Sequence, residues 1–285
     1  MAGTSRFYAS PDGLDLHLRS YGTGAGGLPV VCLPGLTRNA RDFEGLATYL
    51  SDQAGHPVHA FDYRGRGLSA HDREWRNYNL ATETGDVLAG LAEIGVERAA
   101  FIGTSRGGLI THLLAAVRPQ VLAGVVLNDV GPELGAEGLR HIVDYLGEKR
   151  PAAQSFEEFK ERQRGVHGTA FPALSDAEWT RFAQALVKAD GVTPDFDPAL
   201  LRTLEGIDWT SPLPDLWEQF ESFDGIPLMV VRGENSRLLT EDTLHEMARR
   251  HPGTVVETVH GQGHAPLLDT GALPERIAAF LRALV

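Results

Sequence analysis

Ser105 lies in a glycine-flanked motif that is typical of a nucleophilic serine. The motif is Gly103-Thr104-Ser105-Arg106-Gly107, and Gly108 follows it. The apolar run 98–102 before it predicts a buried strand, and the apolar run 109–117 after it predicts a helix. A strand, a tight turn and a helix in this order would expose the serine hydroxyl beside the helix N-terminus, where backbone N–H groups favour negative charge. The motif therefore predicts a serine nucleophile for acyl transfer.

A serine hydroxyl attacks a carbonyl efficiently only when a base accepts its proton, and His264 is the best candidate for that base. It lies in His260-Gly261-Gln262-Gly263-His264-Ala265-Pro266, a glycine-rich loop directly after the last predicted strand. Catalytic groups of open α/β sheets gather at the carboxyl ends of the strands, so this loop can bring His264 to the serine. The spacing of His260 and His264 does not predict a metal site, because the glycines disfavour a helix and no third ligand cluster is apparent.

The elements that would position these residues alternate between strands and helices. Strands are predicted at 6–10, 14–21, 29–33, 58–61, 98–102, 125–128, 227–232 and 254–259. Helices are predicted at 80–94, 109–117, 241–250 and 273–285. This order predicts an α/β fold, with a mostly parallel sheet covered on both faces and an antiparallel hairpin at its start.

The region 131–223 breaks the alternation because it contains helical patterns but no strand-like apolar run. Helices are predicted there at 138–147, 156–163, 176–188 and 213–223. We interpret this region as a helical cap inserted after the sixth strand. The predicted division is a core of residues 1–130 and 224–285 and a cap of residues 131–223.

The composition restricts the classes of partner. The 285 residues carry a formal net charge of −12, which argues against binding to nucleic acid or to anionic membranes. Cys32 is the sole cysteine, so no intrachain disulfide can form. The N-terminal stretch lacks the apolar segment of a signal peptide, and no run is long enough to span a bilayer. We expect a cytoplasmic monomer or homodimer that acts on a small molecule.

On these residues the chain resembles the α/β-hydrolase superfamily over nearly its whole length. The matching segments are Leu33-Pro34-Gly35-Leu36, Asp62-Tyr63-Arg64-Gly65-Arg66-Gly67-Leu68-Ser69, the Ser105 motif and Gly263-His264-Ala265-Pro266. The resemblance implies an eight-stranded sheet with a cap after strand six. It also implies an oxyanion hole formed by the N–H groups of Leu36 and Arg106, and chemistry that needs no cofactor and no metal.

The third member of the triad departs from the usual pattern of this superfamily. Many relatives carry an Asp three residues after the glycine that follows the seventh strand, and here that position is Ser236. A serine cannot supply the negative charge that stabilises an imidazolium. Some branches take the acid from the end of the sixth strand, where this chain has Asp129. We therefore expect Asp129 to be the acid, with Glu234 as the alternative.

Substrate recognition is predicted from side chains that start near the site. Arg38 and Arg106 follow the oxyanion loop and the nucleophile, which suggests recognition of an anionic group; a structural ion pair is the alternative, particularly for Arg106. In the cap, Tyr145, Trp179 and Trp217 are expected to shape an apolar pocket.

These residues together predict a serine hydrolase that cleaves a small carboxylic ester, lactone or amide through an acyl-enzyme. Hydrolysis of a carbon–carbon bond in a vinylogous diketone is the nearest alternative, because it would use the same triad. A ligand-binding receptor on the same fold is a further alternative from another class.

Overall fold

The computed structural model describes residues 3–24, 26–148 and 151–284. Its central feature is an eight-stranded sheet with the order β1-β2-β4-β3-β5-β6-β7-β8. The strands are β1 Thr4–Ala9, β2 Asp15–Tyr21, β3 Val30–Leu33, β4 Val58–Asp62, β5 Ala99–Thr104, β6 Leu122–Asn128, β7 Leu228–Gly233 and β8 Val255–Val259. The predicted α/β fold is confirmed.

Strand pairing follows the hydrophobic patterns of the sequence. β1 and β2 pair antiparallel, and β2 pairs antiparallel with β4; the pairs from β3 to β8 are parallel. Every residue of β3, β4, β6 and β7 is buried. Strands covered on both faces read as continuous apolar runs, which is why periodicity located them closely.

Helices cover both faces of the sheet and pack their apolar sides against it. The helices are α1 Glu44–Asp52, α2 Leu80–Glu93, α3 Arg106–Val117, α4 Ala136–Gly147, α5 Phe156–His167, α6 Asp176–Leu186, α7 Trp217–Glu221, α8 Glu241–Arg250 and α9 Leu273–Arg282. One core cluster contains buried side chains of α2, α3 and α8, and a second contains those of α1 and α9. Within the described ranges, no helix has the length and apolar character needed to cross a bilayer.

The helices α4 to α7 follow one another between β6 and β7, in the region predicted to be a cap. The helix expected over 213–223 is shorter, at Trp217–Glu221: Pro214 disfavours helical backbone at Leu213, and Leu216, with φ −123° and ψ 28°, caps the helix. α6 ends at Leu186 because Val187 has extended backbone, with φ −113° and ψ 154°. A small apolar cluster of Ala153, Phe159, Ala183 and Val187 packs α5 against α6.

His112 lies inside the fold, on the face of α3 that packs away from solvent. Its Nδ1 lies 2.7 Å from the Gly108 carbonyl oxygen, and its ring contacts Phe220 and Phe223 at centroid distances of 6.0 and 5.0 Å. In the part of the chain that the structure describes, its Nε2 is buried without a hydrogen-bond partner. Burial lowers the pKa of His112 to about 4, so the ring is neutral in the folded state at neutral pH.

We expect His112 to destabilise the fold in acid. Its folded-state pKa is below that of an unfolded histidine, so its contribution is intact above pH 6.5 and is lost as pH falls toward 4. Between pH 7 and 4.5 the loss is about 2–3 kcal/mol of unfolding free energy. Urea unfolding of wild type and His112→Leu at both pH values measures this loss of unfolding free energy, which should be smaller in the variant. An equal acid loss in both proteins would contradict the prediction; His59, whose pKa burial also lowers to about 4, is common to both.

Candidate active site

Ser105 occupies the sharp turn between β5 and α3, with φ 52° and ψ −115°. This conformation is rare for a residue with a side chain and is found mainly where surrounding structure enforces it. The neighbouring glycines allow the close approach: a Cβ on Gly107 would lie 2.0 Å from the Leu33 carbonyl oxygen, and one on Gly103 would lie 2.6 Å from the Gly108 nitrogen. The sequence therefore permits α3 to begin directly against the ends of β3 and β5.

The side chains of Ser105, His264 and Asp129 form a continuous chain of hydrogen bonds. The Ser105 Oγ lies 2.9 Å from His264 Nε2, and His264 Nδ1 lies 2.7 Å from Asp129 Oδ2. The Asp129 side chain is fully buried, whereas that of His264 is 17% exposed. A hydroxyl, an imidazole and a buried carboxylate in this order can transfer the serine proton to the ring while the carboxylate holds the opposite N–H.

Asp129 follows β6 in a left-handed conformation, with φ 56°. Its Oδ1 accepts a hydrogen bond of 2.8 Å from the Gly233 N–H, and its Oδ2 accepts one of 2.5 Å from the Ser236 hydroxyl. The Ser236 Oγ also accepts bonds from the N–H groups of Leu238 and Leu239, which leaves its hydrogen directed at Asp129. Sequence reasoning identified Ser236 only as a missing acid and did not predict this supporting role.

Glu234, the alternative acid, binds the loop that carries His264 rather than His264 itself. Its carboxylate accepts a hydrogen bond of 2.8 Å from the Gly261 N–H and lies 3.2 Å from His260 Nδ1. The hydrogen bond from the Gly261 N–H lowers the pKa of this exposed carboxyl, and the contact with His260 lowers it further. In this geometry Asp129 is the carboxylate that contacts His264, whereas Glu234 contacts the loop that carries His264.

The loop after β3 runs beside the serine, as the predicted oxyanion hole requires. A Cβ built on Gly35 would lie 3.8 Å from the Ser105 Cβ. Across residues 3–24, 26–148 and 151–284, neither the Leu36 nor the Arg106 backbone N–H donates to a protein acceptor. Both N–H groups are therefore available to an oxygen atom of a ligand.

A cavity of about 390 Å³ opens above Ser105 and His264. Its walls are largely apolar and come from α4, α5, α6 and the segment that follows α6. The lining includes Ile142, Tyr145, Leu146, Phe159, Val166, Phe182, Leu186, Val192, Pro194 and Phe196. Tyr145 and Arg38, two of the residues predicted to bind substrate, both line this cavity.

The other two predicted pocket residues, Trp179 and Trp217, do not line the cavity. Trp179 packs behind it against Phe182, at a centroid distance of 5.5 Å. Trp217 packs on Phe220 at 5.6 Å, with the Arg250 guanidinium 4.2 Å from its ring. Both tryptophans lie between β6 and β7 in the sequence, but no sequence pattern indicated which side chains of this region would face the cavity.

Neither predicted arginine presents an unpaired charge to a substrate. The Arg106 Nε donates to Glu83 at 2.6 Å, so the structural ion pair is correct for this residue. Arg38 donates two hydrogen bonds of 2.6 Å to Asp42 and stacks 4.5 Å from the Phe182 ring. These contacts favour the structural ion pair, the alternative that the sequence left open, for both arginines.

No cluster of three or more His, Cys, Asp or Glu side chains suited to a metal ion occurs among the described residues. The nearest candidate from the sequence, His260, contacts Glu234 while His264 contacts Asp129. The two histidines therefore have separate partners and do not converge.

Comparison with known proteins gives consistent matches over most of the chain. A sequence model described as the alpha/beta hydrolase family matches residues 30–280. A 3-hydroxybutyrate-oligomer hydrolase of Cupriavidus necator is 30% identical over 274 residues, which cover 90% of this chain and 89% of that protein. A 2-(acetamidomethylene)succinate hydrolase of Mesorhizobium japonicum is 28% identical over 255 residues, covering 88% and 85%. The crystal structure of an alpha/beta hydrolase from Novosphingobium aromaticivorans aligns over 100% of both chains, with a TM-score of 0.90 and 38% identity.

Proposed function

The chain belongs to the alpha/beta hydrolase family and is a hydrolase, and from this premise we propose that it cleaves carboxylic esters with Ser105 as nucleophile. The observation that carries the proposal is the chain of hydrogen bonds from Ser105 through His264 to Asp129 at the base of an apolar cavity. Relatives named as esterases and as an oligomer hydrolase support the same class of reaction.

In the proposed mechanism the Ser105 Oγ attacks the ester carbonyl carbon while His264 Nε2 accepts the hydroxyl proton. Asp129 holds the opposite N–H and stabilises the imidazolium. The carbonyl electron pair moves to oxygen, which accepts hydrogen bonds from the N–H groups of Leu36 and Arg106. Collapse releases the alcohol with the proton from His264, and water then attacks the acyl-enzyme with the same histidine as base.

The cavity favours a short or medium acyl chain. Its volume of about 390 Å³ lies at the lower end of the range for small-molecule sites. Its apolar walls suit a hydrocarbon chain, and the guanidinium groups of Arg38 and Arg162 in its lining are already paired with Asp42 and Glu158. An acidic diketone substrate would be recognised best by an unpaired arginine, so the pairing of Arg38 with Asp42 supports the ester reaction over carbon–carbon bond hydrolysis.

We expect turnover of p-nitrophenyl esters with a distinct chain-length optimum between acetate and octanoate. Beyond the chain that fills the cavity, kcat/KM falls by about tenfold or more, since each methylene that cannot be accommodated costs roughly 1–3 kcal/mol. The panel should also contain a lactone, an anilide and a dienone to test the other bond types.

A pair of variants tests whether this cavity sets the optimum. Ile142→Trp fills part of the cavity and should shift the optimum to shorter esters, whereas Trp217→Phe, outside it, should leave the optimum unchanged. Inert behaviour on all esters, or faster turnover of the dienone than of any ester, would contradict the proposed function.

A further inference from the structure

A buried group of three charged side chains lies directly behind the proposed oxyanion hole. We refer to Arg66, Glu83 and Arg106 as the Glu83 cluster. The Glu83 Oε1 accepts a bond of 2.7 Å from Arg66 Nη1, and its Oε2 accepts one of 2.6 Å from Arg106 Nε. The side chains of Arg66 and Glu83 have no exposed surface, and that of Arg106 is 13% exposed.

The cluster is bonded to both backbone segments that would hold the oxyanion. Arg66 Nε donates a hydrogen bond of 2.9 Å to the carbonyl oxygen of Leu36. Arg106 is the first residue of α3, and its Nη2 also donates to the Tyr78 carbonyl oxygen at 3.1 Å. Two short ion pairs through one carboxylate therefore connect the loop after β3 to the N-terminus of α3.

Aromatic rings and opposite charges surround the central groups of the cluster. The Arg66 guanidinium lies 5.6 Å from the Tyr63 ring centroid and 5.5 Å from that of Tyr78. Burial acts to raise the pKa of Glu83, but the positive charges of Arg106 and Arg66 hold it below its ordinary value. The Glu83 carboxylate accepts a hydrogen bond on each oxygen, so it orients the guanidinium groups of Arg66 and Arg106 together. A lysine ammonium in place of either guanidinium would be held less firmly, because it is a point charge on a flexible stem.

We infer that Glu83 and Arg66 are positioning residues that set the separation of the two oxyanion donors. The inference rests on the proposed function, since the donors act only if Ser105 forms an acyl-enzyme. A buried ion pair is weak evidence for a purely stabilising role, because well-packed hydrophobic side chains in its place often stabilise a core equally or more. Donors that stabilise an oxyanion, by contrast, must be fixed before the reaction begins.

The test compares binding of a tetrahedral oxyanion with binding of a ground-state analogue. An alkyl trifluoromethyl ketone adds reversibly to the enzyme: the Ser105 Oγ bonds to the carbonyl carbon, the carbonyl electron pair moves to oxygen, and His264 takes the proton. The matching trifluoromethyl carbinol, which cannot form this adduct, measures binding of the same chain without an oxyanion.

We expect Glu83→Gln and Arg106→Met each to lower kcat about 10- to 100-fold with KM changed less than threefold. Affinity for the ketone should fall by the same factor as kcat, while affinity for the carbinol stays unchanged. Arg106→Lys, which restores a cation opposite Glu83, should recover part of the ketone affinity. Arg106→Met removes the most exposed member of the cluster, so it should disturb folding less than Glu83→Gln. It therefore tests the inference even if Glu83→Gln does not fold.

Asp86→Asn is the matched control on the same helix. Asp86 lies three residues after Glu83 in α2 and pairs with Arg64 at 2.7 Å, with side chains that are 1% and 0% exposed. This variant removes an equally buried carboxylate from an ion pair whose side chains are not bonded to Leu36 or Arg106. Arg64 meets the cluster through its backbone carbonyl oxygen, which accepts a hydrogen bond of 2.7 Å from Arg66 Nη1 and which the substitution leaves in place. It should lower the melting temperature without selective loss of ketone affinity.

Two results would overturn the inference: a fall in ketone affinity in Asp86→Asn equal to that in Glu83→Gln, or unchanged ketone affinity in folded Arg106→Met and Glu83→Gln. Either result leaves the proposed function standing if wild type turns over esters and Ser105→Ala does not. Ester turnover that survives Ser105→Ala would instead remove the proposed function itself.

Discussion

Replacing Ser105 with alanine should lower kcat on the preferred ester about 10⁵-fold or more, since removing a triad serine leaves only the oxyanion hole and substrate binding. KM and affinity for the trifluoromethyl carbinol should change little, because the serine contributes mainly to the transition state. The hydrogen bond of 2.9 Å between Ser105 and His264 is the interaction that the substitution removes.

An alkyl fluorophosphonate followed by intact mass spectrometry checks this expectation independently of the ester. Wild type should gain one phosphonyl group, localised to the peptide that contains Ser105, and Ser105→Ala should gain none. His264→Ala should react slowly although its serine is present, because the proton acceptor is absent. Labelling of Ser105→Ala at the wild-type rate would show that another residue is the nucleophile.

The backbone of Ser105 provides a second readout for the same position. With φ at 52°, a residue that carries a Cβ is strained, and glycine adopts this region without that cost. Ser105→Gly should therefore be inactive like Ser105→Ala but more stable than it, by about 1 kcal/mol after the entropy of the unfolded glycine is subtracted. Calorimetry of the two variants measures this difference. Equal stability would indicate that the turn is not strained.

The sequence was informative about this turn because its requirements are local. Gly103 and Gly107 are needed within two residues of Ser105, and apolar runs on either side specify a strand and a helix. The same reasoning missed α1, Glu44–Asp52, because this helix is short, contains Gly45 and has no side-chain cap at its N-terminus. Its place is set by packing of Leu46 and Leu50 on the sheet, which is tertiary information.

Apart from the contacts among Ser105, His264 and Asp129, the partners of the charged side chains were the part of the site that sequence reasoning could not supply. Arg106 meets Glu83, and 23 positions separate them in the chain, so no local pattern indicated the ion pair. For Arg38 the partner Asp42 is only four residues away, a spacing that could have indicated a pair. Trp179 and Trp217 show the same limit, because the surface that each covers depends on how the helices between β6 and β7 pack.

Asp129→Asn should lower kcat/KM about 10⁴-fold, the second largest effect that we expect. The carboxylate accepts bonds from His264, Ser236 and the Gly233 N–H, and asparagine tolerates the φ of 56°. An amide group that turned its NH₂ toward His264 Nδ1 would hold the imidazole in the tautomer whose Nε2 carries hydrogen. That tautomer cannot accept the serine proton.

Glu234→Gln is the matched control for the acid assignment. It removes a carboxylate from the same end of the sheet, but one that contacts Gly261 and His260 rather than His264. We expect kcat/KM to remain within about threefold of wild type, because an exposed contact of this kind contributes little. A loss comparable to that of Asp129→Asn would transfer the role of the acid to Glu234.

A relocated carboxylate gives the sharpest form of this prediction. Ser236 occupies the position at which many members of the superfamily carry the acid, and its Oγ lies 2.5 Å from Asp129 Oδ2. In Asp129→Gly, which suits the positive φ and leaves space, an added Ser236→Asp should return a carboxylate to His264 Nδ1. We expect kcat/KM of the double variant to exceed that of Asp129→Gly at least about tenfold, a fraction of the 10⁴-fold loss.

Ser236→Asp alone should instead lower activity, since it sets two carboxylates against each other in a buried site. Rescue in the double variant and loss in the single one would show that His264 needs one charge at this point in space, whichever strand supplies it; failure of the rescue in a folded protein would mean that the orientation given by Asp129 is itself required.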